Sequence, residues 1–383
     1  MHSRGRRAPH GGSRLITAAV ALGSVALVAL GVVTAARAIQ PAARPTLGVT
    51  AASDSATATA TIPPPPPASP RPRVAAEITL AFAGDVHFEG RVDRRLADPA
   101  TTLGPVAAVL SRADLAMVNL ETSITERGTP EPKQFYFRAP PTAFAALRGA
   151  GVDVATMANN HGADFGRVGL EDSLAAVAQT RFPTVGIGKD AAAAYAPWYA
   201  DVSGHRVAIL AASQIRDRTL AAWTAGPDSP GIASAYSRRL VAAVREARRR
   251  AEVVVVYVHW GIEGESCPSG DQRALAAALA AAGADAVVGT HAHLLLGGGW
   301  LGPTYVGYGL GNFLWWRDAA FSNDTGVLQL TFRGRRVVAS TLVPALIDVR
   351  GVPVPSTGQA ARRIRAKFDR LRGCTGLAAG PPG

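Results

Sequence analysis

An α/β fold is predicted for the chain from residue 77 onward, on three observations. Short β-branched runs alternate with alanine- and leucine-rich segments of helical spacing. The strand-like runs are continuously apolar, as in sheets covered on both faces. Polar residues with chemistry in them follow these runs directly. A length of 383 residues, 48% hydrophobic and 18% charged, gives room for one large globular domain or two small ones.

Residues 1–14 carry Arg4, Arg6, Arg7 and Arg14 ahead of an uncharged apolar run, LITAAVALGSVALVALGVVTAA. A run of about 20 apolar residues crosses the hydrocarbon core, and arginine before it keeps the N-terminus cytoplasmic. Residues 15–37 are therefore expected to be a single-pass signal anchor, with the remainder outside the cytoplasm. Cleavage at the small-residue site around Ala36-Arg37-Ala38 would instead release that remainder as a secreted protein. Residues 38–76, rich in Pro, Ala, Ser and Thr and including PPPPP, read as a disordered, semi-rigid spacer.

Expected strands are ITLAFAG (78–84), DLAMVNL (114–120), VDVATMA (152–158), HRVAILAA (205–212), EVVVVYVHW (252–260) and DAVVGTH (285–291). Helices are expected over 104–112, 141–150, 169–179, 237–251 and 270–283. Near the end, TYVGYGLGNF, TGVLQLTFRG and RRVVASTLVPAL read as strands with few helices between, so a mixed sheet or a second packed sheet follows. The domain is expected to span 77–348, with 349–383 as a basic C-terminal tail. Within that tail Ile364, Phe368 and Leu371 share one helical face opposite arginines and Lys367, fit for an anionic membrane surface or for packing on the domain.

The formal charge is +12, nearly all of it from arginine, with basic ends as its source. It suits an anionic membrane or polymer; no nucleic-acid-binding motif accompanies it, and no nucleic acid partner is expected. Cys267 and Cys374 are the only cysteines. Outside the cytoplasm they are expected to form a disulfide, the alternative being two unrelated thiols.

The chemistry lies after the strands: Asp85 and His87, Asn119 and Glu121, Asn160 and His161, His259, then His291 and His293. In open α/β sheets ligands sit beyond the carboxyl ends of strands, so these groups are expected on one rim. Carboxylate, amide and imidazole together suit divalent zinc, manganese or iron. Strand alternation would put Asp85 and His87 on one side, and likewise His291 and His293. Taken singly, each motif has a plainer explanation; NNH could simply cap the next helix. Five of the chain's eight histidines fall in these motifs, which makes coincidence a poor account of the set.

GDVHFEGR (84–91), NLET (119–122), NNHGADFG (159–166), HWGIEGE (259–265), GTHAH (289–293) and YGLGNF (308–313) together resemble the CapA family of bacterial poly-γ-glutamate and capsule synthesis. The resemblance runs from about 78 to 347. It implies a four-layer α/β/β/α sandwich related to calcineurin-like metallophosphoesterases, and one or two divalent ions. Carried over by motif, Asp85, His87 and His293 would hold one ion, Asn160, His259 and His291 the other, with Glu121 between them. His161 would be the catalytic histidine, with Asp164 orienting it. Asn119, Glu263 and Asn312 are expected to face substrate; Glu263 and Glu265 could instead add ligands, face a cationic group or form a solvated loop, and Asn312 could be a turn residue. Glu121 stands where the phosphoesterases carry aspartate, and glycine follows His161 where they carry an acidic residue.

Two functions stand foremost for these residues, ahead of a binding protein whose site is structural. One is an envelope component of anionic polymer synthesis or export, working with other membrane proteins. The other is a metal-dependent hydrolase of a phosphate-bearing envelope substrate.

Overall fold

A computed structural model of the chain describes residues 76–383. The expected anchor and nearly all of the expected spacer lie outside the described residues. Among the described residues no helix is long and apolar enough to cross a membrane.

Two large sheets carry the fold. The first orders its strands Pro353–Pro355, Arg336–Ile347, Asp324–Arg333, Glu77–Val86, Leu115–Leu120, Val154–Thr156 and Thr184–Val185, with Asn312–Leu314 also paired to Glu77–Val86. The half from Glu77–Val86 to Thr184–Val185 is parallel, and the other main strands are antiparallel. The second sheet runs Leu295–Leu301, Thr304–Leu310, Ala286–His291, Val253–Trp260, His205–Ser213 and Trp198–Val202. Its middle four strands are parallel, and each edge strand turns back antiparallel.

The period of two in a strand explains how one run serves two cores. Along Val253–Trp260, Val253, Val255 and Tyr257 join a core shared with Ile78, Leu80 and Phe82 of the first sheet. Val254, Val256 and Val258 point the other way, onto Leu240, Val244 and Ala247 of helix Arg238–Arg250 and Leu275, Ala276 and Leu279 of helix Gly270–Ala282. Tyr257 donates its hydroxyl to the Ala83 carbonyl at 2.6 Å, a polar tie from the second sheet to the first.

Two strands of the second sheet escape the sequence pattern. Trp198–Val202 is an edge strand and mostly half-exposed, so its run is not continuously apolar. Leu295–Leu301 contains three successive glycines, which lower strand propensity. They are needed for close approach: a Cβ on Gly297 would stand 2.3 Å from the Arg372 nitrogen, and one on Gly299 at 2.3 Å from the Ala378 oxygen.

Residues 349–383 are not a separate tail. Pro353–Pro355 adds a strand to the first sheet, and helix Gly358–Leu371 buries Ile364 and Phe368 against Leu295 and Leu342. Arg363 and Lys367 both bond Asp324. The apolar stripe is thus spent on the domain's own core, which removes the basis for laying it on a membrane.

Candidate metal centre

Parallel pairing aligns the chemistry. Asp85 sits in register with Asn119 on one side and with Asn312 on the other. In the second sheet His259 is level with Thr290, and Trp260 with His291. The chemistry-bearing residues of both sheets therefore come at the carboxyl ends of parallel strands, where α/β sheets bind ligands. Gly84 makes the first alignment possible: a Cβ there would lie 1.9 Å from the Gly311 oxygen, the same oxygen that accepts from the Asp85 N–H at 2.9 Å.

His291 and His293 reach the site by a different route from the one expected. Both have positive φ, 97° and 58°, so left-handed backbone, not strand alternation, turns their rings to within 5.8 Å of each other. Such backbone is costly for a residue with a Cβ and clusters at functional sites.

His259 is the hub. Its Nε2 lies 2.7 Å from Asn160 Oδ1, 3.0 Å from His291 Nδ1 and 3.6 Å from Glu121 Oε1. Its Nδ1 has Thr290 Oγ1 and Asn119 Nδ2 at 3.2 Å each. The Thr290 oxygen can accept an Nδ1 proton, leaving Nε2 free to ligate. On the other flank Asp85 Oδ2 is 3.6 Å from His293 Nδ1. Three groups of ligand atoms each close within 4.8 Å: Glu121 with His259 and His291, Asp85 with Glu121 and His293, and Glu263 with His291 and His293.

Glu121 tests whether these residues fit a cation. It is fully buried, and neither side-chain oxygen has a hydrogen-bond partner. Burial, then the neighbouring Asp85 carboxylate, pushes its pKa well above the ordinary range. A buried carboxylate without a donor is costly, and neutral imidazoles cannot supply the missing charge. Burial also holds His259 and His291 well below the usual imidazole range, with neighbouring histidines adding to the effect. One carboxylate oxygen set among unprotonated nitrogens and an amide oxygen matches a divalent ion. The residues fit.

His161 faces the same carboxylate, its Nε2 at 3.8 Å from Glu121 Oε1. Its Nδ1 lies 2.5 Å from Asp164 Oδ2, and burial outweighs that carboxylate in lowering its pKa. Asp164 is itself fixed: Oδ2 accepts from the Phe137 N–H at 2.7 Å, and Oδ1 accepts from Lys133 Nζ at 2.6 Å. Lys133 also bonds the Asn160 carbonyl and Thr219 Oγ1. The motif reading missed Lys133 because it comes from within the irregular loop GTPEPKQFYF and not from the carboxyl end of a long strand. Its one signal was rarity, three lysines in a chain whose other cations are arginine.

His87 lies apart from the other expected ligands. The ladder shifts register at Asp85/Val86 and the strand ends at Val86, so alternation no longer links residues 85 and 87. The His87 ring stacks on Phe137 at 4.3 Å with Trp315 edge-on at 4.4 Å. Its nitrogens face the backbone N–H groups of Glu89 and Trp316. It belongs to none of the three converging groups.

Asn119 is also placed differently from the expectation that it faces substrate. It is wholly buried, donating to Asp85 Oδ1 at 2.8 Å and accepting from Asn159 Nδ2 at 2.9 Å; it braces ligands. Asn312 borders the cleft, and its Oδ1 lies 2.9 Å from His293 Nδ1. Glu263 is largely exposed at the cleft edge, 3.8 Å from His293 Nε2, while Glu265 is exposed. Cys267 and Cys374 are joined by a disulfide.

Above the centre opens a cleft of about 350 Å³. His161, His293, Asn312 and Glu263 border its polar floor, and Phe135, Phe137, Trp315, Trp316 and Phe321 wall it. Phe137 is stacked between His161 and His87.

Comparison with known proteins agrees with the motifs. Over 293 residues the chain is 29% identical to the capsule biosynthesis protein CapA of Bacillus anthracis, covering 73% of this chain and 70% of that one. Over 259 residues it is 27% identical to the PGA biosynthesis protein CapA of Bacillus subtilis (strain 168), covering 66% and 67%. Among solved structures, a novel phosphatase from Mycoplasma pneumoniae superposes with a TM-score of 0.45 at 13% identity, over 71% of this chain and 94% of that one. Residues 79–315, well over half of the chain, match the family described as bacterial capsule synthesis protein PGA_cap, and the chain belongs to that family.

Proposed function

We infer that this protein serves the synthesis or export of a capsule-type anionic polymer, poly-γ-glutamate, and holds one or two divalent ions at the rim shared by its sheets. The family and its CapA relatives support the pathway. The observation that carries the metal is Glu121, buried without a donor beside His259. The ion would be held by Asn160, His259, His291 and Glu121, and a second by Asp85, His293 and Glu121. Anchoring through residues 15–37, a domain outside the cytoplasm, partnership with other membrane proteins of the pathway and the four-layer sandwich belong to the same proposal.

When bound, such an ion polarises an anionic or carbonyl oxygen as a Lewis acid. The chain supplies the rest. Asn119 and Asn312 hold Asp85 and His293 in place, and aromatic walls limit water over the floor. His161, with Nδ1 on Asp164, leaves Nε2 to give or take a proton there. That dyad favours a second reading, metal-dependent hydrolysis of an envelope phosphate ester. Elemental analysis of the purified full chain tests the shared premise. Bound manganese, zinc or iron lost in Asp85→Ala and His291→Ala supports it, and unchanged metal in both variants sinks it. Hydrolysis of an aryl phosphate by the loaded protein separates the second reading from the first.

A further inference from the structure

Arg317 borders the same cleft as His161 and His293. It is exposed, yet its guanidinium is held in place by stacking, 4.4 Å over the Phe135 ring and 4.8 Å over Trp316. Its backbone is fixed too, because Arg91 Nη2 donates to the Arg317 carbonyl at 2.6 Å. Among the described residues no carboxylate lies within ion-pairing distance of it, although Asp318 next door pairs with Arg91. A planar fork, preset by two aromatic faces and lacking an acid, is arranged for an incoming carboxylate or phosphate.

The cleft therefore offers two attachment points for negative charge, the cation-fitted floor and Arg317, and Phe135, Trp315, Trp316 and Phe321 line it as well. Aromatic walls favour aliphatic stretches and disfavour unbroken charge. A polyphosphate chain bears charge on every unit and has nothing to lay on those rings. A γ-linked glutamate chain alternates carboxylates with short aliphatic and amide stretches, which suits a cleft that joins anion-binding groups to aromatic walls.

We propose that Arg317 is a specificity residue that takes the carboxylate of the unit next to the one held at the floor, so that the cleft recognises a γ-linked polycarboxylate chain by two points. This rests on the polymer reading above. Arg317 itself lies outside the matched residues 79–315, so the family match alone does not assign it a role.

The test uses the full chain loaded with manganese and titrated calorimetrically with γ-linked tetraglutamate, with glutamate, and with inorganic tripolyphosphate. Wild type is expected to bind the tetramer at least about tenfold more tightly than glutamate. Arg317→Ala should remove most of that advantage while leaving glutamate affinity and metal content unchanged, and Arg317→Lys should restore it only in part. Tetramer binding that is indifferent to Arg317→Ala overturns the proposal. So does tripolyphosphate binding as tightly as the tetramer with the same dependence on Arg317, which would make the residue a general anion contact. Loaded wild type that binds none of the three also overturns it while leaving the metal centre intact. A wild type that takes up no metal is a separate result, read from elemental analysis, and counts against the centre instead.

Discussion

His259 Nε2 stands 3.6 Å from Glu121 Oε1, and that carboxylate is buried with no donor on either oxygen. The pair has opposite consequences for stability and for binding. Glu121→Met replaces two unpartnered oxygens with apolar atoms of similar reach. Metal-free protein should then be more stable by about 1–3 kcal/mol, while bound metal falls. Urea denaturation of metal-free samples, with elemental analysis of loaded ones, checks both halves. A large destabilisation instead would mean the carboxylate is satisfied without an ion.

Two histidines of the resembling motifs should part company. His293→Ala removes a group 3.6 Å from Asp85 and should lower metal content. His87→Phe keeps the stack on Phe137 and should leave metal content unchanged. Equal losses in both variants would return His87 to the ligand set.

Acid should destabilise the metal-free protein through these imidazoles. Burial depresses the pKa of His87, His259 and His291. A base with a depressed folded pKa is neutral when folded and takes its proton only on unfolding. Its contribution is complete above the unfolded pKa, about 6.5, and is lost as pH falls from there toward the folded value. Each such histidine costs up to about 1.4 kcal/mol per pH unit in that window. Glu121, raised by burial, works the other way, and its burden eases as pH falls. Thermal melts between about pH 7 and pH 5 should show the loss, and His87→Phe should make the slope shallower.

The disulfide closes a loop between residues 107 positions apart. It ties the segment after HWG to the end of the C-terminal helix, whose neighbour Arg273 donates to the Cys374 and Thr375 carbonyls. Removing so long a crosslink costs on the order of 2–4 kcal/mol. Cys267→Ser with Cys374→Ser should shift the urea midpoint down accordingly. An unchanged midpoint would mean packing of Ile364 and Phe368 holds the segment by itself.

Strand ends were readable because parallel strands buried on both faces leave chemistry only at their termini; Asp85, Asn119, His259 and His291 were placed on this logic. What could not be read depended on local backbone. The register shift at Asp85/Val86 releases His87 from strand alternation, and left-handed φ at His291 and His293 aims rings that no periodicity predicts. Lys133 arrives from an irregular loop, so its partnership with Asp164 is tertiary and leaves no local pattern. The triple-glycine strand is explained only by what packs against it, the Arg372 and Ala378 backbone.

Lys133 sets the surroundings of Asp164. Asp164 is fully buried and held by three donors, Lys133, the Phe137 N–H and His161. The lysine does not bond the His161 ring and acts on it through Asp164 and the Asn160 carbonyl, so it is a positioning residue. If the loaded protein hydrolyses an aryl phosphate, His161→Ala should lower turnover by about a hundredfold or more, with metal content unchanged. Lys133→Met should lower it less, because the aspartate keeps its backbone donor and its imidazole. Lys133→Met leaves Asp164 with one donor fewer, so its carboxylate should bond His161 more strongly, and the pH profile of turnover should shift upward. Lys133→Arg keeps the charge but must fit a wider head beside the Asn160 carbonyl, and it should restore the profile more fully than the rate. An unshifted profile in Lys133→Met would leave the lysine a purely structural role in fixing the loop.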